Sequence, residues 1–444
     1  MQRFKEDFIF GTATSSYQIE GAASVGGRTP SIWDTFSLTP GKVHNGDTGE
    51  VACDHYHRFE EDIEIIKSLG VDSYRFSIAW PRIFPHEGQY NPEGMAFYKR
   101  LATRLKEEGI RPFVTLYHWD LPQWAYEKGG FTNRESIDWF LEYAEKCFEE
   151  LDDVVDMWIT HNEPWCVAML GYYEGVHAPG HQNLQESIQV AHHLLLSHGK
   201  AVELYKETLQ KDKPIGITLN MSPVYPASME THDYTAAQAY DGYLNRWFID
   251  PVFKGSYPED MKTLYGNNGC EFDFIKEGDL KSISISCDFF GINFYNRALI
   301  EASSENPLTF QAAPSDYEKT GMGWDISPNE FKELIYRVRE DYTTLPIFIT
   351  ENGAAFDDVL EEDGSVHDEG RKGYVEQHLT AVAELNEEGM NIKGYYLWSL
   401  LDNFEWAFGY DKRFGITYVD FETQNRYVKD SAKRYTDIVR SRTI

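Results

Sequence analysis

Two segments of the sequence end an apolar run on a carboxylate. PIFITENG (346–353) carries Glu351 after Ile-Phe-Ile-Thr, and MWITHNEPW (157–165) carries Glu163 after Trp-Ile-Thr-His-Asn. A charged side chain at the end of a buried segment is expensive unless it is paired or used. Two such carboxyls suit cleavage of a glycosidic bond. One, protonated, gives its proton to the leaving oxygen; the other, ionised, works on the opposite face of the sugar. A separation of about 5 Å between them is the arrangement that retains anomeric configuration. The ionised partner needs a cation and hydrogen-bond donors, and Arg75 and Tyr295 are available. The acid keeps its proton near neutrality if apolar neighbours and a nearby anion raise its pKa. Trp158 and Trp165 flank Glu163 in sequence.

Other polar and aromatic residues also follow apolar runs: Tyr17, Gln18 and Glu20; His118, Trp119 and Asp120; Asn162; Asn220; Asn293; Trp398; then Asp402, Asn403, Glu405 and Trp406. Amides, carboxylates and imidazole bond hydroxyl groups, and indole faces stack on the C–H face of a pyranose. There is no G-x-S-x-G nucleophile turn and no glycine-rich phosphate loop. The inventory suits a neutral carbohydrate.

The elements that must position these residues alternate along the chain. Candidate strands are 8–13, 72–78, 112–117, 154–160, 214–220, 288–295, 346–350 and 394–399. Helical patterns lie between them at 58–70, 95–109, 134–151 and 373–389, the first ending at a capping Gly70. About eight strand–helix repeats predict a (β/α)8 TIM barrel, with an open doubly wound sheet as the rival. The first strand runs into GTATSSYQ rather than G-x-G-x-x-G, which favours the barrel. Barrels of this kind run from about 250 to over 400 residues, so residues 1–444 are expected to form one catalytic domain with its site at the C-terminal strand ends.

With 41 basic and 72 acidic residues the net charge is −31. That field repels nucleic acid and anionic lipid. Five widely spaced cysteines without a C-x-x-C predict reduced thiols. The first residues lack the apolar core of a secretion signal, and no window reaches about 20 apolar residues, so a soluble cytoplasmic protein is expected. His192 and His193 sit in an apolar helical pattern and read as structural. His55 and His57 lack matching ligands for a metal. The acidic run 149–156 reads as a solvated loop, and Asp357 and Asp358 as surface residues.

Six segments, in order, resemble those of family-1 glycoside hydrolases: FIFGTATSSYQIEGA (8–22), YRFSIAWPRIFP (74–85), YHWDLPQW (117–124), THNEPW (160–165), FITENG (348–353) and WSLLDNFEWAFGYDKRFG (398–415). The likeness covers essentially the whole chain. It implies a retaining β-glucosidase with Glu163 as acid/base and Glu351 as nucleophile, held by Arg75 and Tyr295. It further implies that Asn162 holds the 2-hydroxyl and that Gln18, His118, Glu405 and Trp406 bind other hydroxyls. Trp398 would form the stacking floor and Trp324 would line the leaving-group side. Asn220 and Asn293 would assist near the acid/base, and Trp119 and Phe414 would complete the sugar site. Relatives that cleave 6-phospho-β-glycosides replace the glutamate at 405 with a phosphate-binding Ser, paired with a Lys and a Tyr. This chain keeps Glu405, has Lys412, and carries Phe414 where the Tyr would stand. The implied substrates are therefore unphosphorylated β-glucosides or short cello-oligosaccharides, with galactosides and fucosides tolerated. A 6-phospho-β-glycosidase and a catalytically silent sugar-binding barrel are the alternatives. No metal or organic cofactor is implied.

Overall fold

The computed structural model describes residues 2–444. Eight parallel strands close into a barrel: β1 (Ile9–Ala13), β2 (Ser73–Ser77), β3 (Arg111–Tyr117), β4 (Met157–Asn162), β5 (Ile215–Asn220), β6 (Phe289–Asn293), β7 (Ile347–Asn352) and β8 (Ile392–Trp398). Each pairs with its sequence neighbours, and β1 closes the ring on β8. The doubly wound alternative is excluded by that closure.

Each strand is followed by an outer helix: α1 (His55–Leu69), α2 (Pro92–Glu107), α3 (Ser136–Leu151), α4 (Leu184–Glu203), α5 (Trp247–Lys254), α6 (Pro328–Asp341), α7 (Glu369–Glu387) and α8 (Asp430–Ser441). Local chemistry explains their ends. The Asn91 side chain accepts the Glu93 backbone N–H at 3.2 Å ahead of Pro92, the first residue of α2. Gly70 closes α1 at φ 73°, as its sequence position predicts. Along α2, Met95, Tyr98, Leu101, Ala102 and Leu105 recur at helical spacing and are buried against the barrel.

Register partners in a sheet point to the same face. Arg75 is paired with Ala13 and Phe113, Ala13 with Trp398, and Phe113 with Met157. These side chains therefore share the barrel interior. Below them the rings of Phe113, Phe289, Phe348 and Tyr396 meet with centroids 5.2–5.9 Å apart and fill the lumen. This aromatic plug is the floor on which the polar residues rest.

Two small sheets decorate the connections: strands Val224–Pro226, Ala298–Ala302 and Phe310–Ala312, and the pair Thr417–Val419 with Arg426–Val428. Two surface expectations need correction. Residues 149–151 close α3, and buried Asp152 accepts the Trp158 indole N–H at 3.1 Å and the Tyr205 hydroxyl at 2.6 Å. The side chain of Asp358 is sealed between Arg371 and Lys429. Among the described residues, no helix is long and apolar enough to cross a membrane.

Candidate active site

The C-terminal strand ends surround a cavity of about 410 Å³. Strand irregularities aim residues into it. The β4–β5 register shifts between Ile159 and Asn162, and the β6–β7 register between Ile349 and Glu351. Such shifts turn side chains away from simple alternation. Three non-glycine residues of the cavity wall, Trp119, Glu163 and Trp406, hold left-handed backbone angles with φ of 79°, 50° and 48°. Residues held there store strain that the surrounding structure must offset.

Glu351 is the better-compensated carboxylate. Arg75, fully buried, donates to Oε1 at 2.5 Å, and the Tyr295 hydroxyl donates to Oε2 at 2.6 Å. Both of its oxygens are thereby paired, one of them by a charge-assisted bond. Glu163 is treated differently. Asn293 donates to Oε1 at 2.9 Å, Asn162 to Oε2 at 3.2 Å, and the Cys166 thiol reaches Oε2 at 3.5 Å, but no cation bonds it. Burial and the nearby Glu351 anion raise its pKa well above the carboxylate range. The two glutamates thus sit in unlike surroundings: Glu351 meets a guanidinium and a phenol, Glu163 amides and a thiol.

Asn162 is the junction between them. Its Oδ1 accepts from Arg75 Nη2 at 2.6 Å and from Asn293 Nδ2 at 3.0 Å. Its Nδ2 lies 3.2 Å from His118 Nε2. Burial, with Arg75 nearby, pushes His118 well below the ordinary imidazole range, so the ring is neutral. If Nε2 accepts, the ring proton sits on Nδ1, which has no protein partner. Asn220 Oδ1 and Trp165 Nε1 are also without partners on this wall. Buried polar atoms left unpaired are costly. Three of them around one cavity mark it as a place for a hydroxyl-rich ligand.

Of the residues picked out from sequence, Glu163, Glu351, Asn293, Tyr295, His118, Trp119, Asn220, Trp324, Trp398, Glu405, Trp406 and Phe414 line the cavity. Arg75, Asn162 and Gln18 stand behind its wall. Gln18 donates to Asn403 Oδ1 at 3.0 Å and the Phe404 carbonyl at 2.9 Å, supporting the segment that bears Glu405. Trp158 does not approach Glu163; its ring packs against Phe148. Cys166, His177, Met221, Ser222 and Asn296 were not anticipated. Cys166 follows Glu163 by three residues and was reachable by helical spacing, and Met221, Ser222 and Asn296 directly follow the strand-end residues Asn220 and Tyr295; the segment holding His177 carries no strand-end signal.

The sequence model of glycosyl hydrolase family 1 matches residues 1–444. The chain belongs to glycosyl hydrolase family 1. This glycoside hydrolase is 49% identical to β-glucosidase A of Acetivibrio thermocellus over 442 residues, 99% of this chain and 98% of that protein. The crystal structure of the family-1 β-glucosidase from Exiguobacterium antarcticum B7 superposes with a TM-score of 0.98 at 64% identity, covering 99% of both chains. The β-glucosidase of Thermotoga maritima, solved in complex with deoxynojirimycin, superposes at 0.96 with 46% identity over 100% of both chains.

Proposed function

We propose that residues 1–444 act as one catalytic domain, a retaining β-glucosidase that removes terminal β-D-glucosyl residues from unphosphorylated glucosides. Glu351 attacks the anomeric carbon while Glu163 protonates the departing oxygen. Glu163 then takes a proton from water, and that water releases the sugar from Glu351, so two inversions give net retention. Arg75 and Tyr295 hold the two carboxyl oxygens of the nucleophile in position for attack. Asn162, held by Arg75 and Asn293, is oriented to bond a sugar hydroxyl. His118, Glu405 and Trp406 serve the remaining hydroxyls, with Gln18 acting from behind the wall through the segment that bears Glu405, Trp398 beneath the ring, Trp119 and Phe414 beside it, and Asn220 and Trp324 toward the leaving group.

The observation that carries this reading is the unequal treatment of the two glutamates: one has an arginine and a phenol, the other amides and a thiol. The names of the aligned relatives support glucose as the sugar. Glu405, half-buried on the cavity wall without a cation bonded to it, disfavours a phosphate, since placing an anion beside such a carboxylate is costly. The test compares p-nitrophenyl β-glucoside with its 6-phosphate and follows the product anomer by proton NMR. Turnover of the unphosphorylated compound to β-glucose as first product, abolished in Glu351→Gln, is expected. Preference for the phosphate, or α-glucose as first product, sinks the proposal.

A further inference from the structure

Behind the catalytic cavity, Thr218 of β5 and Thr350 of β7 meet across β6. Thr218 Oγ1 lies 3.2 Å from Thr350 Oγ1, which lies 2.7 Å from Asn293 Oδ1. Both threonines are fully buried and neither lines the cavity. They can approach because Gly291 of β6, the register partner of Thr218, has no side chain. A Cβ there would lie 2.3 Å from Thr218 Oγ1 and 3.0 Å from Thr350 Cγ2. Two hydroxyls in a barrel core are costly unless each is hydrogen-bonded.

The direction of each bond follows from Arg75. A guanidinium only donates, so Asn162 Oδ1, 2.6 Å from Arg75 Nη2, accepts. Asn293 must then turn its Nδ2 toward Asn162, at 3.0 Å, and the same nitrogen donates to Glu163 Oε1 at 2.9 Å. Its Oδ1 is left facing Thr350 and needs a donor there. The Thr350 hydroxyl has one proton to give, so its oxygen accepts from Thr218. The bonds from Thr218 through Thr350 and Asn293 to Glu163 all point the same way, and each strengthens the next.

We infer that Thr350 is a positioning residue for the acid/base: its hydroxyl, backed by Thr218, locks the Asn293 amide with its N–H groups on Asn162 and Glu163. The inference rests on the β-glucosidase reading and adds to it the residue that holds the proton donor toward the leaving oxygen. The Asn293 bond also favours ionised Glu163, offsetting part of what burial and Glu351 do to raise its pKa. The other charged or titratable groups around Glu163 are Arg75, Cys166, Tyr295 and Glu405, with His118 beyond Asn162. None of them bonds the Thr350 hydroxyl, and the Thr350 carbonyl that accepts from Arg75 Nη1 at 3.0 Å belongs to the backbone.

The experiment compares the native enzyme with Thr350→Val, which keeps the shape and removes the hydroxyl, and Thr350→Ser, which restores it. It measures kcat/KM on phenyl β-glucoside, whose leaving group needs a proton, and on 2,4-dinitrophenyl β-glucoside, whose leaving group does not. Thr350→Val is expected to lose about 3- to 10-fold on the phenyl glucoside, the effect of one net hydrogen bond, and little on the dinitrophenyl glucoside. With that bond weakened, Glu163 keeps its proton to higher pH, so the basic limb of kcat/KM moves up by about 0.4–1 pH unit. Thr350→Ser is expected to behave as the native enzyme does. An unshifted limb, an equal loss on both substrates, or Thr350→Ser acting like Thr350→Val overturns the inference. If the native protein turns over no glucoside, the β-glucosidase reading fails on its own; in that case, or if Thr350→Val does not fold, neutron diffraction from the deuterated native protein decides. A Thr350 deuteron on Asn293 Oδ1, with the Asn293 amide deuterons facing Asn162 and Glu163, sustains the inference. A reversed amide, or a Thr350 deuteron directed at Thr218, overturns it.

Discussion

Glu405 is the carboxyl of the cavity with the least compensation. Its one hydrogen bond from the chain comes from Gln18 Nε2 at 3.5 Å. Burial, with the Glu351 and Glu163 carboxyls nearby, pushes its pKa up to about 8. Near pH 4 it is protonated whether the chain is folded or unfolded, so it costs nothing. As pH rises, the unfolded chain gives up this proton near the ordinary value while the folded protein holds it, so stability is lost between about pH 4.5 and 8 and the loss levels off above. Glu405 is partly open to the cavity, and water there screens part of the effect, which leaves roughly 1–2 kcal/mol. Glu405→Gln is therefore expected to melt with the native protein at pH 4–5 and a few degrees above it at pH 8–9, by differential scanning fluorimetry. A constant offset at every pH, or a lower melting temperature at pH 9, defeats this account. The same residue is expected to contact sugar, so its stability cost is one more sign of a site kept for binding.

At the scale of elements, the strand ends fit together through positions where no side chain is tolerated. A Cβ built on Gly353 would lie 1.6 Å from the carbonyl oxygen of Trp398. Gly353 follows directly on β7, which ends at Glu351 and Asn352, while Trp398 ends β8. Gly353→Ala must push the end of β8 away, with a cost of about 3 kcal/mol or more for overpacking. It is expected to lower the melting temperature and to reduce kcat/KM on p-nitrophenyl β-glucoside by at least tenfold; native values for both show that the backbone there yields freely. All eight barrel strands were legible from sequence because each is a short apolar run followed by turn or polar residues, and their ends fell within three residues of the observed ones. The strands at 224–226, 310–312 and 417–419 were not, because three residues are too few to display an alternation. Glu163 and Glu351 were visible for the same reason as their strands. The left-handed backbone of Trp119, Glu163 and Trp406 was not, because nothing in a tryptophan or glutamate announces a positive φ.

Across the whole molecule, the barrel's last loops are joined by a buried set of six charges. Lys429, at the entry to α8, donates to Asp358 Oδ2 and, at 2.7 Å, to Asp402 Oδ1. Arg413 donates to Asp402 Oδ2 at 2.6 Å, and Arg371 binds both Asp358 and Asp368. Three cations meet three anions. The set ties the loop after β7, which continues from Glu351, to the segment 398–415, which bears Trp398, Glu405, Trp406 and Phe414. None of this was legible in sequence: Asp358 is an isolated acid in a loop until Lys429, 71 residues on, reaches it. Removing one partner of such a set leaves a buried charge uncompensated, at a cost of about 3–5 kcal/mol. Lys429→Met is therefore expected to lower the melting temperature by several degrees and to raise KM on p-nitrophenyl β-glucoside, because the sugar-facing segment loses its tether. The double variant Lys429→Met/Asp358→Asn leaves two balanced pairs, Arg371 with Asp368 and Arg413 with Asp402. It is expected to regain part of the melting temperature while KM stays raised, since neutrality is restored and the link between the loops is not. If KM recovers together with stability, the set serves the fold alone; if the single variant matches the native protein in both, the tether does not exist.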